Sequence, residues 1–126
     1  MASDYRGKNK LHFGFRYALS GLKVAILTER NIKIHFIAMT IVCIMGFIVG
    51  LTNLEWAILC LAIGAVISME MMNTALERAL DYVEPKHQPA VGIAKDISAG
   101  AVLVTAIIAM VIACLFFYLN CWHKEW

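Results

Sequence analysis

Charge is scarce in this chain. Charged side chains make up 16% of its 126 residues and hydrophobic ones 61%, and the mean hydropathy is +0.73. Soluble domains are about 45–50% apolar, so the composition excludes that class and implies a membrane protein of at most one domain. The two prolines, Pro85 and Pro89, both fall in the segment Glu84 to Gly92, which reads as an ordered loop. The four cysteines (Cys43, Cys60, Cys114 and Cys121) make no C-x-x-C and no Cys/His zinc spacing. Three of them lie inside apolar runs and read as small hydrophobes packed in helices. No P-loop and no protein-kinase motif set occurs, which excludes the familiar soluble nucleotide-binding folds. With a net charge of only +2 and no nucleic-acid module, no DNA or RNA partner is expected. The first apolar run begins after more than thirty residues and has no small-residue cleavage site, so it reads as a retained membrane helix and not a signal peptide.

What the chain does have is long apolar segments with helical periodicity. From Phe13 to Arg30, Phe15, Ala18, Leu19, Leu22, Ala25 and Ile26 share one face, with Arg16, Ser20 and Lys23 opposite. That stripe predicts an amphipathic helix lying in the membrane interface. Three spans follow. Ile34–Leu51 would be about 27 Å long at ~1.5 Å per residue, close to the ~30 Å hydrocarbon core. Leu54–Met69 is the second, its helical pattern continuing to about Val83, and Ile97–Leu119 is the third. Only the tight Thr52-Asn53 turn separates the first two. The predicted fold class is therefore all-α integral membrane, with one surface helix and three transmembrane helices.

Seven basic residues (Arg6, Lys8, Lys10, Arg16, Lys23, Arg30 and Lys33) precede the first span, while the Thr52-Asn53 turn has none. The positive-inside rule then puts the amino terminus and the 70–96 region in the cytoplasm and the carboxyl terminus outside. Trp56, Tyr118, Trp122 and Trp126 would gather at the outer interface, as aromatic anchors do. Small residues recur along the third span at Ala94, Ser98, Ala101, Thr105, Ala109 and Ala113. Such a ridge lets membrane helices approach closely, and three spans make a thin bundle, so a homo-oligomer is expected.

The candidate chemistry sits where the second span ends. Glu70, Asn73, Glu77 and Asp81 fall within roughly 80° of one another around a helix at ~100° per residue. A carboxylate in or beside a bilayer is costly, which makes it a functional candidate by default. Here the acids are expected to face water together at the membrane surface. Glu70, at the edge of the hydrocarbon, is suited to taking a proton from an alcohol. Glu77, two turns on, suits Mg²⁺, which pairs one or two carboxylates with phosphate oxygens. Lys95 and Asp96 precede the third span, and Lys95 can meet a phosphate as a point charge. Glu29 could bring another carboxylate to the same layer. A base, a cation seat and a phosphate-binding lysine are the minimum for phosphoryl transfer. Two rival classes fit the composition: a small proton-coupled transporter with Glu70 as its coupling carboxylate, and a non-catalytic membrane scaffold.

The run Glu70-Met71-Met72-Asn73-Thr74-Ala75-Leu76-Glu77, then Asp81, then Ala94-Lys95-Asp96 and Ala101-Val102-Leu103, resembles the prokaryotic diacylglycerol kinase family of small membrane lipid kinases. The resemblance covers nearly the whole chain. Thr28-Glu29-Arg30-Asn31 with His35, Glu55-Trp56, and Lys95 to Val102 resemble its Gram-positive branch, whose members act mainly as undecaprenol kinases. The resemblance implies one membrane lipid-kinase domain over residues 1–126 in a bacterial plasma membrane, assembled as a homotrimer with active sites shared between neighbours. It implies Glu70 as proton acceptor, with Asn73 orienting groups beside it, and Glu29 and Glu77 holding Mg²⁺ against ATP. Lys10, Tyr17, Lys86, His87, Gln88, Lys95 and Asp96 would complete the ATP site. Lys10, Asn31, His35, Glu70 and Ala99 would line the lipid site. The chain departs from the diacylglycerol branch at Lys10 where an arginine is usual, at His35 where an acid is usual, and at Ala99 where a serine is common. The expected activity is ATP-dependent phosphorylation of a membrane alcohol, undecaprenol first and diacylglycerol second.

Overall fold

The computed structural model describes the backbone of residues 10–123 and the side chains of residues 14–123. Four helices follow in order: α1 (Lys10–Thr28), α2 (Arg30–Val49), α3 (Asn53–Val83) and α4 (Pro89–His123). The last three are long and apolar enough to cross a membrane. The all-helical class and the number of spans follow the sequence expectation, but several boundaries do not.

The surface helix and the first span, expected at 13–30 and 34–51, meet at a single residue. Glu29 takes an extended conformation (φ −98°, ψ 119°) and forms the N-cap of α2, so α1 stops at Thr28 and α2 begins at Arg30. At the other end α2 stops at Val49. Gly50 adopts a left-handed conformation at φ 78°, and the amides of Gly50 and Leu51 both donate to the Gly46 carbonyl. Left-handed backbone at a helix end is the ordinary place for glycine, which has no Cβ to clash. The turn is completed by Thr52, whose hydroxyl accepts from the Glu55 amide while the Glu55 carboxylate accepts from the Thr52 amide. This capping box is written in the sequence as T-x-x-E and satisfies two of the donors a helix start leaves open.

The Glu84–Gly92 segment is only partly a loop. Pro89 is the first residue of α4, a position where its missing N–H costs nothing and its fixed φ suits the helix. The third span thus starts eight residues before the expected Ile97, and the connection shrinks to residues 84–88. At ~1.5 Å per residue, α3 and α4 are about 46 and 52 Å long, well beyond a ~30 Å hydrocarbon core. Each must project from a bilayer at one end.

α4 packs chiefly against α3. The small-residue ridge Ala94, Ser98, Ala101, Thr105, Ala109 and Ala113 is buried or half-buried within the chain, so its close approach is spent on an intrachain partner. Leu51, Leu59 and Ala113 form the core near the hairpin, with Trp56, Phe116 and Phe117 against it. Trp56 packs on Phe47, ring centroids 4.8 Å apart, and belongs to this core more than to an outer anchor. Tyr118 and Trp122 stack at the same end. There Asn120 donates to Glu55 at 2.8 Å, tying the end of α4 to the start of α3. Trp126 lies outside the described residues.

Large apolar side chains such as Ile37, Phe47, Leu61, Leu103 and Met110 point outward from the spans. Outward apolar faces are what lipid requires, and each helix satisfies its own backbone. Cys60, Cys114 and Cys121 are also exposed on this single chain, so they are not packed inside it as expected, and Cys43 is half-buried. The amphipathic face of α1 divides: Ala25 is buried and Leu22 and Ile26 half-buried, while Phe15, Ala18 and Leu19 remain exposed.

Gly46 lets the hairpin close. A Cβ there would stand 2.8 Å from the Trp56 ring and 3.1 Å from Leu51 Cδ1. Gly46→Ala should therefore destabilise the protein by about 1–3 kcal/mol, the usual cost of overpacking. The check is reversible denaturation in mixed micelles, where the variant should unfold at lower denaturant fraction than wild type.

Candidate functional site

One stripe of α3 organises the site. Its buried residues are Leu59, Val66, Glu70, Asn73 and Thr74, spaced so that the apolar face at the hairpin end becomes a polar face at the other. Glu70 is only 3% exposed and Asn73 5%. This corrects the expectation that the acids face water together: Glu70 points into packed protein, Glu77 is half-buried and Asp81 is exposed. The reason is helical phase, since Glu70 occupies a core position of the stripe that Val66 occupies one turn earlier.

Around Glu70 the structure gathers few compensating charges. Among the described residues, no lysine or arginine nitrogen comes within 4.0 Å of its carboxylate. Among the described residues, the ion-pair partner it has within 4.0 Å is His35 of α2, whose Nε2 lies 3.9 Å from Glu70 Oε2. One turn along, the Asn73 amide donates to Glu77 Oε1 at 3.3 Å, and this fixes which way the amide points. Asn73 Oδ1 is then left buried without a hydrogen-bond partner. Unpaired buried acceptors are uncommon and costly, and this one calls for a donor such as a hydroxyl or a water.

Glu29 is brought to α3 by Arg78, which the sequence expectation does not include among the site residues. The same guanidinium nitrogen donates to Glu29 Oε1 at 2.5 Å and to Thr28 Oγ1 at 2.8 Å. Because the α1–α2 break leaves the Glu29 side chain out of any cap, its carboxylate is free to turn toward α3. Arg78, the residue that reaches Glu29, directly follows Glu77 in α3. The available signal was a lone arginine beside the last glutamate of the stripe. Two carboxylates, neither fully buried, match the Mg²⁺ habit of taking one or two protein oxygens and completing its shell with phosphate and water. Among the described residues no set of three or more His, Cys, Asp or Glu side chains converges as an all-protein metal cage.

The third group surrounds the α3–α4 connection. A cleft of about 340 Å³ is lined by Asp81, Lys86, His87, Gln88 and Lys95 together with neighbouring loop residues. Lys95 is ion-paired to Asp81, clasping the two helices across the loop. Four residues expected at ATP are thus brought together. Asn31, Asp96 and Ala99 are exposed and make no side-chain hydrogen bond or ion pair with the others. Tyr17 is half-buried on α1. Lys10 opens α1, but its side chain lies outside the described residues.

Comparison with known proteins bears on this arrangement. The sequence profile described as prokaryotic diacylglycerol kinase matches residues 16–117. The chain is 40% identical to an undecaprenol kinase of Bacillus subtilis (strain 168) over 117 residues, covering 92% of this chain and 95% of that one. It is 38% identical to a diacylglycerol kinase of Synechocystis sp. over 99 residues, 78% of this chain and 57% of the relative. A diacylglycerol kinase of Escherichia coli (strain K12) is 23% identical over 115 residues, 91% and 94% of the two chains.

The clasp between Arg78 and the α1–α2 break is open to a direct check. In a double-mutant cycle, Arg78→Ala and Glu29→Gln should show a coupling of about 0.2–1 kcal/mol, the usual size for a solvent-reached pair. Amide exchange at residues 29–33 should quicken in Arg78→Ala. Unchanged exchange and strictly additive variants would mean the pair holds nothing.

Proposed function

The chain belongs to the prokaryotic diacylglycerol kinase family of lipid kinases, and from that premise we propose that it transfers the γ-phosphoryl group of ATP to the hydroxyl of undecaprenol. The observation that carries this reading is Glu70: a carboxylate 3% exposed, at the polar end of a membrane-length helix, with no lysine or arginine against it among the described residues. Leaving such a charge uncompensated costs several kcal/mol, and a proton-accepting role gives the site a use for it. The choice of undecaprenol is supported by the relative that is 40% identical and named for that substrate. Diacylglycerol is the alternative, supported by the other relatives.

In the proposed reaction the alcohol enters sideways from the bilayer, so its tail stays in hydrocarbon. Its hydroxyl meets Glu70, which removes the proton as the oxygen attacks phosphorus. The unpartnered Asn73 Oδ1 is available to orient that hydroxyl or a water beside it. Lys95, released from Asp81 or shared with it, neutralises phosphate charge, and Lys86, His87 and Gln88 hold the nucleotide in the adjoining cleft. Asp96, Tyr17 and Lys10 are proposed to finish the nucleotide site. Asn31, His35 and Ala99, with Lys10, are proposed to border the lipid. Glu29 and Glu77 would hold Mg²⁺, which when bound screens the charge on the transferring phosphoryl group.

The site faces the cytoplasm in this proposal, supported by the basic amino-terminal flank and the uncharged Thr52-Asn53 turn. The exposed Phe15, Ala18 and Leu19 of α1 would lie in the headgroup layer. A homotrimer is supported by how little of the spans one chain buries. Each subunit would then complete its neighbour's site.

The test is phosphorylation of a panel of lipid alcohols by purified protein with labelled ATP, with and without Mg²⁺. Undecaprenol should be labelled fastest, and labelling should vanish on chelation. Faster turnover of diacylglycerol would reverse the substrate order. Labelling that survives chelation would remove Glu29 and Glu77 from the metal role.

A further inference from the structure

Phosphorylating an alcohol releases one proton for each turnover, and a base buried like Glu70 has no water of its own to receive it. The pair formed with His35 offers the outlet. His35 sits in the second turn of α2 with Nε2 3.9 Å from Glu70 Oε2, and its side chain is 25% exposed. Of the two groups, the imidazole is the one with surface left open on this chain. The separation exceeds a direct hydrogen bond by about 1 Å, a gap that one bridging water or a small closure around substrate spans.

We infer that His35 carries to cytoplasmic water the proton that Glu70 takes from the lipid alcohol, an inference that rests on the kinase reading above. As the alcohol oxygen bonds to the γ-phosphorus, the bond from that phosphorus to the bridging oxygen breaks and its electron pair leaves on ADP. The hydroxyl proton passes to the Glu70 carboxylate. The neutral acid gives it to the neutral imidazole, and the imidazolium gives it to water. Carboxylate and imidazole end as they began.

The same contact makes the base sensitive to pH. An imidazolium beside Glu70 holds the carboxylate as an ion pair and blocks the relay, since the ring has no vacant nitrogen to accept a second proton. Other charges are present on every helix around the pair. α1 carries Arg16, Tyr17 and Lys23, and Glu29 caps α2, which itself carries Arg30 and Lys33. α3 adds Glu77 and Arg78, and α4 adds Lys95 and Asp96. Among the described residues, none of the lysines or arginines comes within 4.0 Å of Glu70, and no carboxylate other than Glu70 comes within 4.0 Å of His35.

The experiment compares the pH dependence of kcat and of the lipid KM in wild type and His35→Gln, with His35→Asn as a second variant should the first not assemble. Wild-type kcat should fall on the acid side, where a ring already protonated has no vacant nitrogen to accept the proton. His35→Gln should lose that acid limb and lower kcat by about tenfold or more at neutral pH, an effect larger than any on the lipid KM. Added imidazole should restore part of the rate in His35→Ala. The inference is overturned if His35→Gln keeps the wild-type acid limb, or if its lipid KM rises while kcat holds, which would make His35 a headgroup contact. If active wild type accompanies any of these results, only this inference fails; a wild type that phosphorylates no alcohol removes the kinase reading as well.

Discussion

Glu70 is a carboxylate that folding takes out of water. Even after relaxation, burying such a charge costs several kcal/mol. The packing that meets this cost is the continuous stripe of α3, in which Leu59 and Val66 supply apolar contact and Glu70 and Asn73 take the next core positions. The polar residues are not appended to the end of a membrane helix. They occupy the register that holds the helix against its neighbours, so the site cannot shift without unpacking the bundle.

The remaining geometry extends from that register. Because α3 and α4 are longer than the hydrocarbon is thick, their polar ends stand beyond it and are joined by a connection of only five residues. That short connection sets Asp81 against Lys95 and leaves a cleft beside them. The break at Glu29 separates α1 from α2, and Arg78 ties the break to α3. At the hairpin end the capping box, Gly46 and the Asn120–Glu55 bond hold the helices in phase. A kinase can thus be assembled on helix ends at a membrane surface, where positioning and charge, not a nucleotide-binding fold, supply what phosphoryl transfer needs.

The spans were legible because apolar periodicity and length are strong signals, and the Glu70–Asp81 spacing correctly put four polar residues on one face. The outward direction assigned to that face was wrong for Glu70 and Asn73. A helical wheel gives relative angle, and only the packing of α4 and α2 decides which angle is inside. The start of α4 was missed because Pro89 was read as a loop residue, although proline is equally at home at a first helical position. Arg78 was undervalued because its partner lies 49 residues away, and no local pattern reports such a pair. The small-residue ridge was real, but its partner is α3 of the same chain. Spacing leaves several plausible carboxylates, and the family resemblance is what implies Glu70 as the base.

The central claim is that the buried Glu70 carboxylate is the group that accepts the alcohol's proton. Its most direct test is single-turnover phosphoryl transfer by Glu70→Gln, an isosteric change that removes the charge and keeps the packing. The account predicts a folded protein of wild-type oligomer size whose transfer step is slowed by about 10²-fold or more. Transfer at the wild-type rate would contradict it and leave Glu70 as a costly piece of the core.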